Sequence, residues 1–215
     1  MNRFHDRQHA GQLLASQLQN YKNKKDGLVL ALPRGGVPVA YEIAKSLVLP
    51  LSIYLVRKLG VPHQSELAFG AISMDGQIVF NEEIVKSLNL SKTSMEQVIE
   101  TEKKELNRRK TSYFSNLLPF VLKDKIIILV DDGIATGATL RAAISAIQLQ
   151  NPKKIIVAVP VGAKSSCQEI ETQVDEFISI LKPEHLNSVG EWYENFSQTS
   201  DEEVSFLLKK IRNKE

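Results

Sequence analysis

Residues 126–140 carry the strongest structural signal in the chain and read IIILVDDGIATGATL. The aliphatic run at the start of this stretch has no polar alternation, which predicts a strand buried on both faces of a parallel sheet. The run ends in Asp131 and Asp132, and burying adjacent carboxylates costs several kcal/mol unless a positive or hydrogen-bond-donating group meets them. At the carboxyl end of a parallel strand, this pair predicts a ligand crevice. A solvated turn is the alternative interpretation.

The small and hydroxyl residues after the acid pair predict an anion site. They lead into a helix predicted from about Gly137 to Leu149, and the first backbone N–H groups of a helix are free to meet an anion. The hydroxyls of Thr136 and Thr139 add further donors. Carboxylates beside a phosphate cradle indicate a sugar phosphate, with the acids accepting hydrogen bonds from ribose hydroxyls and the turn holding the phosphate group.

The order of strand, turn and helix recurs on both sides of this run. Apolar strands separated by helices indicate an α/β fold, a parallel sheet with helices on both faces. A helix is also expected near each end of the chain, from about Asp6 to Tyr21 and from Asp201 onward. The other predicted strands are Leu28–Leu32, Leu51–Val56, Ile155–Val159 and Glu176–Leu181.

Residues from about 60 to 122 interrupt this alternation. Two short strand-like pieces, around Ala68–Ile72 and Gln77–Phe80, precede a long charged helix that begins near Ser91, which would cap it. We expect one domain over residues 1–215, with this segment inserted above the strand ends. The segment from about 182 to 215 is expected to form a hood and the last helix.

Composition limits the classes of partner and compartment. A chain of 215 residues with 43% hydrophobic residues suits one α/β domain. The formal net charge is only +2, so neither a nucleic acid nor an anionic membrane is favoured as a partner. The single cysteine, Cys167, excludes an internal disulfide and fits a reducing compartment. With no apolar signal segment at the N-terminus, we expect a cytoplasmic protein.

The run at 126–140 resembles the phosphoribosyl pyrophosphate (PRPP) signature of the type I phosphoribosyltransferases, in which hydrophobic residues, two acids, small residues, Thr-Gly and Ser/Thr follow in this order. The resemblance implies a Rossmann-like fold with a hood or flap insertion. It also implies an enzyme that uses PRPP and Mg²⁺ to transfer ribose 5-phosphate to a nitrogen nucleophile such as a nucleobase. Asp131 and Asp132 would hold the ribose hydroxyls, directly or through metal-bound water. The 5′-phosphate would lie on Ala135, Thr136, Gly137, Ala138 and Thr139.

A second stretch resembles the pyrophosphate loop of the same family, and it follows the predicted strand Leu28–Leu32. It consists of Pro33, Arg34, Gly35 and Gly36. The family often has a cis peptide bond here, which the resemblance places between Pro33 and Arg34, and the glycines would let the backbone approach the diphosphate. A simple turn of the chain at the two glycines is the alternative.

A third stretch, Arg57 and Lys58, ends a predicted strand and matches a pyrophosphate-contacting arginine in purine-type members. Because guanidinium groups bind phosphate oxygens in a bidentate manner, Arg34 and Arg57 together with magnesium would stabilise the departing pyrophosphate. An exposed pair of basic residues at a strand end is the alternative interpretation.

The acceptor is the least constrained part of the predicted reaction. Ala135 stands where 6-oxopurine enzymes carry an acid, so the resemblance disfavours hypoxanthine and guanine. Trp192 and Tyr193 follow the last predicted strand, where purine enzymes contact the base, although packing at a domain edge would explain them equally. Glu66 is a further candidate, in a loop from Gly60 that would close over the site. Simple solvation of Glu66 is the alternative.

The wider likeness runs from Phe4-His5-Asp6-Arg7 to the segment Phe196–Asp201 and resembles a bacterial group of phosphoribosyltransferase-like proteins of unestablished acceptor. It implies nucleotide metabolism and a homodimer.

The alternative function is a non-catalytic regulator that senses PRPP or a nucleotide, because this fold also serves in regulators. A nucleic-acid-binding regulator would need a basic face, which the small net charge does not provide. Arg34 and Arg57 favour turnover. A sugar-phosphate hydrolase would release pyrophosphate without an acceptor.

Overall fold

A computed structural model describes residues 3–62, 64–114 and 120–212, with the side chains of Ser65, Glu66, Ser112 and Phe114 excepted. The chain divides into two compact units. The helices and strands in chain order are α1 (Arg7–Gln17), β1 (Gly27–Ala31), α2 (Gly36–Leu47), β2 (Leu51–Ile53), β3 (Val56–Val61), β4 (Gln64–Ser73), β5 (Ile78–Phe80), α3 (Glu82–Ser87), α4 (Lys92–Phe114), β6 (Ile126–Val130), α5 (Ala138–Gln148), β7 (Lys154–Val161), α6 (Lys164–Glu171), β8 (Glu176–Leu181) and α7 (Asp201–Arg212).

The first unit contains a parallel sheet in the order β2-β1-β6-β7-β8. All residues of β1 and β6 are buried, as their unbroken apolar sequences predict. Helices α1 and α2 pack against each other and on this sheet, α6 packs on β8, and α7 packs on α2. The predicted α/β class and its parallel sheet are confirmed.

The strand order creates a switch point between β1 and β6. From β1 the chain passes outward to β2 on one side, and it returns to β6 on the other side. The two strands pair in register from Gly27 with Ile126 to Ala31 with Val130, so their carboxyl ends lie side by side. Connections leave such a point in opposite directions, which opens a crevice where ligands bind in open α/β sheets.

The predicted strand Leu51–Val56 is wrong in one respect. Strand β2 ends at Ile53, and Val56 already begins β3 in a different sheet. Tyr54 and Leu55, between the two strands, are buried as well. Because the run is apolar apart from Ser52 and is buried from Leu51 to Leu55, hydrophobicity alone carries no signal of the change of sheet.

The second unit consists of the described residues within Tyr54–Leu118 together with Ala138–Leu149. Its antiparallel sheet has the order β3-β4-β5, and α4 and α5 pack on it. The predicted insertion at about 60–122 falls largely within this unit, which also includes α5. The segment predicted from Gly60 to Glu66 as a loop is built mostly from strand ends, since Val61 pairs with Gln64, while His63 lies outside the described residues.

Helix starts follow the sequence signals. The Oγ atom of Ser91 accepts a hydrogen bond from the backbone N–H of Ser94 at 3.1 Å, which confirms the predicted cap of α4. Asp6 caps α1 by accepting from the N–H of His9 at 2.8 Å. Helix α1 ends at Gln17, before the predicted end at Tyr21, and a short 3₁₀ turn follows it. Within the described ranges, no helix is both long and apolar enough to span a membrane.

Candidate active site

The acid pair stands at the end of β6, beside the switch point. The backbone N–H of Asp132 donates to Oδ1 of Asp131 at 2.9 Å, which fixes the first carboxylate against the chain. Burial, reinforced by the neighbouring Asp132 carboxylate, raises the pKa of Asp131 well above its ordinary value. A cation or a hydroxyl donor at this position would relieve that unfavourable burial of negative charge.

The loop after β1 lies directly against the acid pair. A Cβ atom on Gly35 would overlap the carboxylate of Asp132, and one on Gly36 would lie 2.8 Å from the carbonyl oxygen of Val130. Only glycine therefore permits this approach of the two loops. The peptide bond between Pro33 and Arg34 is cis, as the resemblance implied. Two of the stretches singled out in the sequence thus meet in space.

Arg34 is directed toward the start of α7. Its guanidinium Nη1 lies 3.6 Å from Oδ1 of Asp201, and both side chains are substantially exposed to solvent. An exposed ion pair at this distance contributes little to stability. The guanidinium can exchange this partner for a stronger anion at low cost.

The turn after the acid pair is anchored at its start and exposed beyond it. The backbone N–H of Ile134 donates to the carbonyl oxygen of Val161 at 2.9 Å, and the Ser166 hydroxyl donates to the carbonyl oxygen of Ala135 at 2.7 Å. Gly137 adopts a φ of 71°, a left-handed conformation that favours glycine. The residues assigned to phosphate binding are all exposed or half-buried, and α5 begins among them: Ala135, Thr136, Gly137, Ala138 and Thr139.

The predicted pyrophosphate-binding pair Arg57 and Lys58 lies on β3 in the second unit. Nε of Arg57 donates to Oε2 of Glu102 on α4 at 2.6 Å, and the Arg57 side chain is half-buried. Both residues are accessible enough to meet a ligand. The Glu102 contact was not predicted, because the charge pattern of α4 resembles an ordinary solvated face.

Sequence reasoning missed Arg7 as a site residue. Its Nε donates to Oδ2 of Asp132 at 2.8 Å, and the two side chains are only 11% and 16% exposed. The pair is separated by 125 residues in the chain. Arg7 stood in the Phe4–Arg7 run that contributed to the family resemblance, but no helical or strand periodicity connects it with a carboxylate so distant in sequence.

Of the two aromatic residues proposed for acceptor binding, Tyr193 lies beside the same acid. The Tyr193 hydroxyl donates to the backbone carbonyl oxygen of Asp132 at 2.6 Å, and the residue is only 4% exposed. Burial, with a contribution from the Asp132 charge, raises the pKa of Tyr193. Trp192 is half-buried against an apolar cluster that includes Phe4, and its Nε1 finds no acceptor among the described residues. Glu66 lies on β4, with its side chain outside the described part of the chain.

The acid pair fits a magnesium ion. Among the described residues, no group of three or more His, Cys, Asp or Glu side chains is arranged to hold a metal. Magnesium, however, keeps several waters and takes one or two carboxylates together with phosphate oxygens of a substrate. Asp131 and Asp132 supply that kind of donor directly after the carboxyl end of β6.

A parallel sheet with an acid pair and a glycine loop at its switch point defines the class of open α/β proteins whose ligand sites lie at the carboxyl ends of the strands. A family model described as the phosphoribosyl transferase domain matches residues 3–195. The chain belongs to this family.

Individual relatives agree with the family assignment. A Mycobacterium tuberculosis protein that carries the provisional name of phosphoribosyl transferase is 43% identical over 208 residues, covering 97% of this chain and 47% of that protein. The chain thus spans about half the length of the curated relatives it matches. A Thermus thermophilus protein known from its crystal structure is 34% identical with a TM-score of 0.88, covering 97% of this chain and 98% of that one. An Aquifex aeolicus protein, 15% identical with a TM-score of 0.52 over 86% of this chain and 78% of its own, shares the fold.

Proposed function

We propose that the chain is a phosphoribosyltransferase that binds PRPP with magnesium, transfers its ribose 5-phosphate to a nitrogen nucleophile and releases pyrophosphate. The observation that carries this proposal is the contact between the Pro33–Gly36 loop and the carboxylate of Asp132. A diphosphate on the loop and a ribose on the acids would then be neighbours, as they are within PRPP.

The ribose end would be held by the acid pair and the turn that follows it. Asp131 and Asp132 would accept hydrogen bonds from the 2′- and 3′-hydroxyls, directly or through metal-bound water. The exposed turn Ala135–Thr139 would hold the 5′-phosphate through its hydroxyls and through the first N–H groups of α5. These contacts would fix the anomeric carbon relative to the leaving group.

The pyrophosphate end would lie on the backbone of Gly35 and Gly36 and on the side chains of Arg34, Arg57 and Lys58. Arg34 would leave its long contact with Asp201, and Arg57 would exchange Glu102 for a diphosphate oxygen. Their positive charges would stabilise the negative charge that grows on the leaving group. Magnesium, when bound with the diphosphate, would reduce that charge further.

A nucleobase remains the proposed acceptor, with Ala135 arguing against hypoxanthine and guanine. Trp192 and Glu66 stay proposed acceptor contacts. The burial of Tyr193 and its bond to the main chain of Asp132 favour a supporting role for this residue over contact with an acceptor. A homodimer and a cytoplasmic location also remain predictions.

The experiment that tests the proposal is a screen for pyrophosphate release. The protein would be incubated with PRPP and Mg²⁺ and with each of a panel of nucleobases and small nitrogen nucleophiles. We expect release that depends on one class of acceptor and is lost in Asp132→Asn. Tight PRPP binding without release for any acceptor would identify a sensor. Release that needs no acceptor would identify a hydrolase.

A further inference from the structure

Arg7 makes three contacts that together fix its guanidinium beside the acid pair. Nε donates to Oδ2 of Asp132 at 2.8 Å. Nη1 donates to the backbone carbonyl oxygen of Ser197 at 2.7 Å. The guanidinium carbon also lies 3.8 Å from the centroid of the Phe196 ring, a cation–π distance. A planar guanidinium with its edges and one face engaged cannot rotate freely.

The backbone that carries Arg7 is held by the same part of the chain. The N–H of Phe4 donates to the carbonyl oxygen of Trp192, and the N–H of Glu194 donates to the carbonyl oxygen of Phe4, both at 2.8 Å. The Phe4 ring is buried, with its centroid 5.3 Å from that of Tyr193. Segments from both ends of the sequence therefore meet beside Asp132.

Asp132 is consequently held at two points. Its main-chain carbonyl oxygen accepts a hydrogen bond from the Tyr193 hydroxyl at 2.6 Å, and its Oδ2 atom accepts one from Nε of Arg7 at 2.8 Å. The carboxylate also occupies the space that a Cβ atom on Gly35 would need. A rotation of this side chain would change both the pyrophosphate loop contact and the oxygen presented to a ligand.

We propose that Arg7 is a positioning residue, which holds Oδ2 of Asp132 so that Oδ1 faces a ribose hydroxyl. This inference rests on the proposed function, because it assigns the ribose of PRPP to Asp132. A charge-assisted hydrogen bond is stronger and more directional than a neutral one, so the arginine orients the carboxylate before the ligand arrives. The ligand then does not have to order that side chain on binding.

Two other roles are compatible with the same contact and give opposite results. Arg7 would serve only stability if its function were to neutralise a partly buried acid, and ligand affinity would then be independent of it. Arg7 would be an inhibitory plug if it competed with the ligand for Asp132, and its removal would then increase affinity. Positioning alone predicts a loss of affinity confined to the ribose end of the ligand.

The test uses two variants of the full chain and two probes. Arg7 lines a cavity of about 260 Å³ together with Tyr41, Leu207 and Lys210, and a much shorter side chain would enlarge it. Arg7→Met is therefore chosen, because methionine keeps most of the length of the side chain and removes the charge. Arg7→Lys keeps the positive charge but lacks the planar arrangement of guanidinium N–H donors. The probes are ribose 5-phosphate and inorganic pyrophosphate, each with Mg²⁺, titrated by calorimetry below the melting temperature of every variant.

We expect Arg7→Met to weaken ribose 5-phosphate binding about tenfold, which corresponds to the loss of one charge-assisted contact. Pyrophosphate affinity should change less than about twofold, because the loop backbone holds that probe. Arg7→Lys should recover part of the ribose 5-phosphate affinity. Arg108→Met is the matched control, since it removes an exposed arginine–glutamate pair on α4, and it should alter neither affinity.

Unchanged or tighter ribose 5-phosphate binding in Arg7→Met overturns the inference, and so does an equal loss for both probes. If the wild-type protein binds neither probe, the proposed function itself fails. A double-mutant cycle of Arg7→Met and Asp132→Asn, measured by melting temperature without ligand, tests the Arg7–Asp132 contact separately from the proposed function. Non-additive changes would show that Arg7 engages Asp132 whatever the ligand, and additive changes would refute the contact.

Discussion

The hydroxyl of Tyr193 donates to the main-chain carbonyl oxygen of Asp132 at 2.6 Å, across 61 residues of sequence. The phenol is buried beside Phe4 and Phe196, with ring centroids 5.3 and 4.9 Å away. The segment after the last strand of the sheet is thus tied to the loop that carries the acid pair. This connection makes the geometry of Asp132 depend on residues far from β6.

Tyr193→Phe should destabilise the protein by about 1 to 3 kcal/mol, because it leaves the carbonyl oxygen of Asp132 without its buried donor. Equilibrium denaturation by urea measures the loss. Tyr41→Phe is the control, since this buried tyrosine lines a cavity and does not contact Asp132. Equal stability of Tyr193→Phe and wild type would contradict the role given to the phenol.

Gly35→Ala should weaken PRPP binding more strongly than it reduces the stability of the fold. The new methyl group would overlap the Asp132 carboxylate and force either the loop or the acid away. We expect PRPP affinity to fall more than about tenfold, a loss of more than about 1.4 kcal/mol of binding free energy, because the displaced loop or carboxylate no longer meets the ligand. Gly76→Ala is the control, because Gly76 has a φ of 79° and open space around it. It should lower stability through backbone strain and leave affinity intact. Wild-type PRPP affinity in Gly35→Ala would contradict a role for the Pro33–Gly36 loop in ligand binding.

Arg57→Ala should lower the rate of pyrophosphate release more than PRPP affinity, because the charge that it meets grows in the transition state. Single-turnover release and calorimetric binding measure the two quantities. Glu102→Gln removes the carboxylate charge from the 2.6 Å pair and keeps the arginine, so its rate should remain close to wild type. Equal losses of rate and affinity in Arg57→Ala would assign it to ground-state binding.

Acid should weaken the hydrogen-bonded group of Tyr21, Lys154 and Glu176, in which Lys154 and Glu176 lie at the amino ends of β7 and β8. Burial opposes ionisation of Glu176, but hydrogen bonds from Tyr21 and Lys154 outweigh it and lower the pKa of this carboxyl below 4.5. The stabilisation is therefore present above the unfolded pKa and disappears as pH falls through the lower, folded value. Glu176→Gln should reduce the melting temperature at pH 7, and its effect should become smaller as the pH falls below 4.5. Glu184→Gln, which removes an exposed pair with Lys164, should change little. A constant Glu176→Gln effect across this range would contradict the pKa assignment.

The central part of the fold could be predicted because its strands are apolar and end at clear polar signals. Ile126–Val130 and Glu176–Leu181 have the predicted limits. The division between β2 and β3 could not be predicted, since Leu51–Val56 is a run that is apolar apart from Ser52 and that serves two sheets.

The site was predictable to the extent that its residues are adjacent in sequence. The acid pair and the Pro33–Gly36 loop each follow a strand, and parallel pairing of β1 with β6 brings them together. Arg7 and the supporting role of Tyr193 depend on tertiary contacts across 125 and 61 residues, which no local pattern records.

Binding of PRPP with Mg²⁺ to wild-type protein, Asp131→Asn and Asp132→Asn, measured by isothermal titration calorimetry, tests the central claim most directly. Each asparagine keeps the size of the side chain and removes the charge. We predict one site in the wild-type protein and at least tenfold weaker binding in each variant, with melting temperatures that show both still folded. Wild-type affinity in both variants would contradict the placement of the ribose on this acid pair.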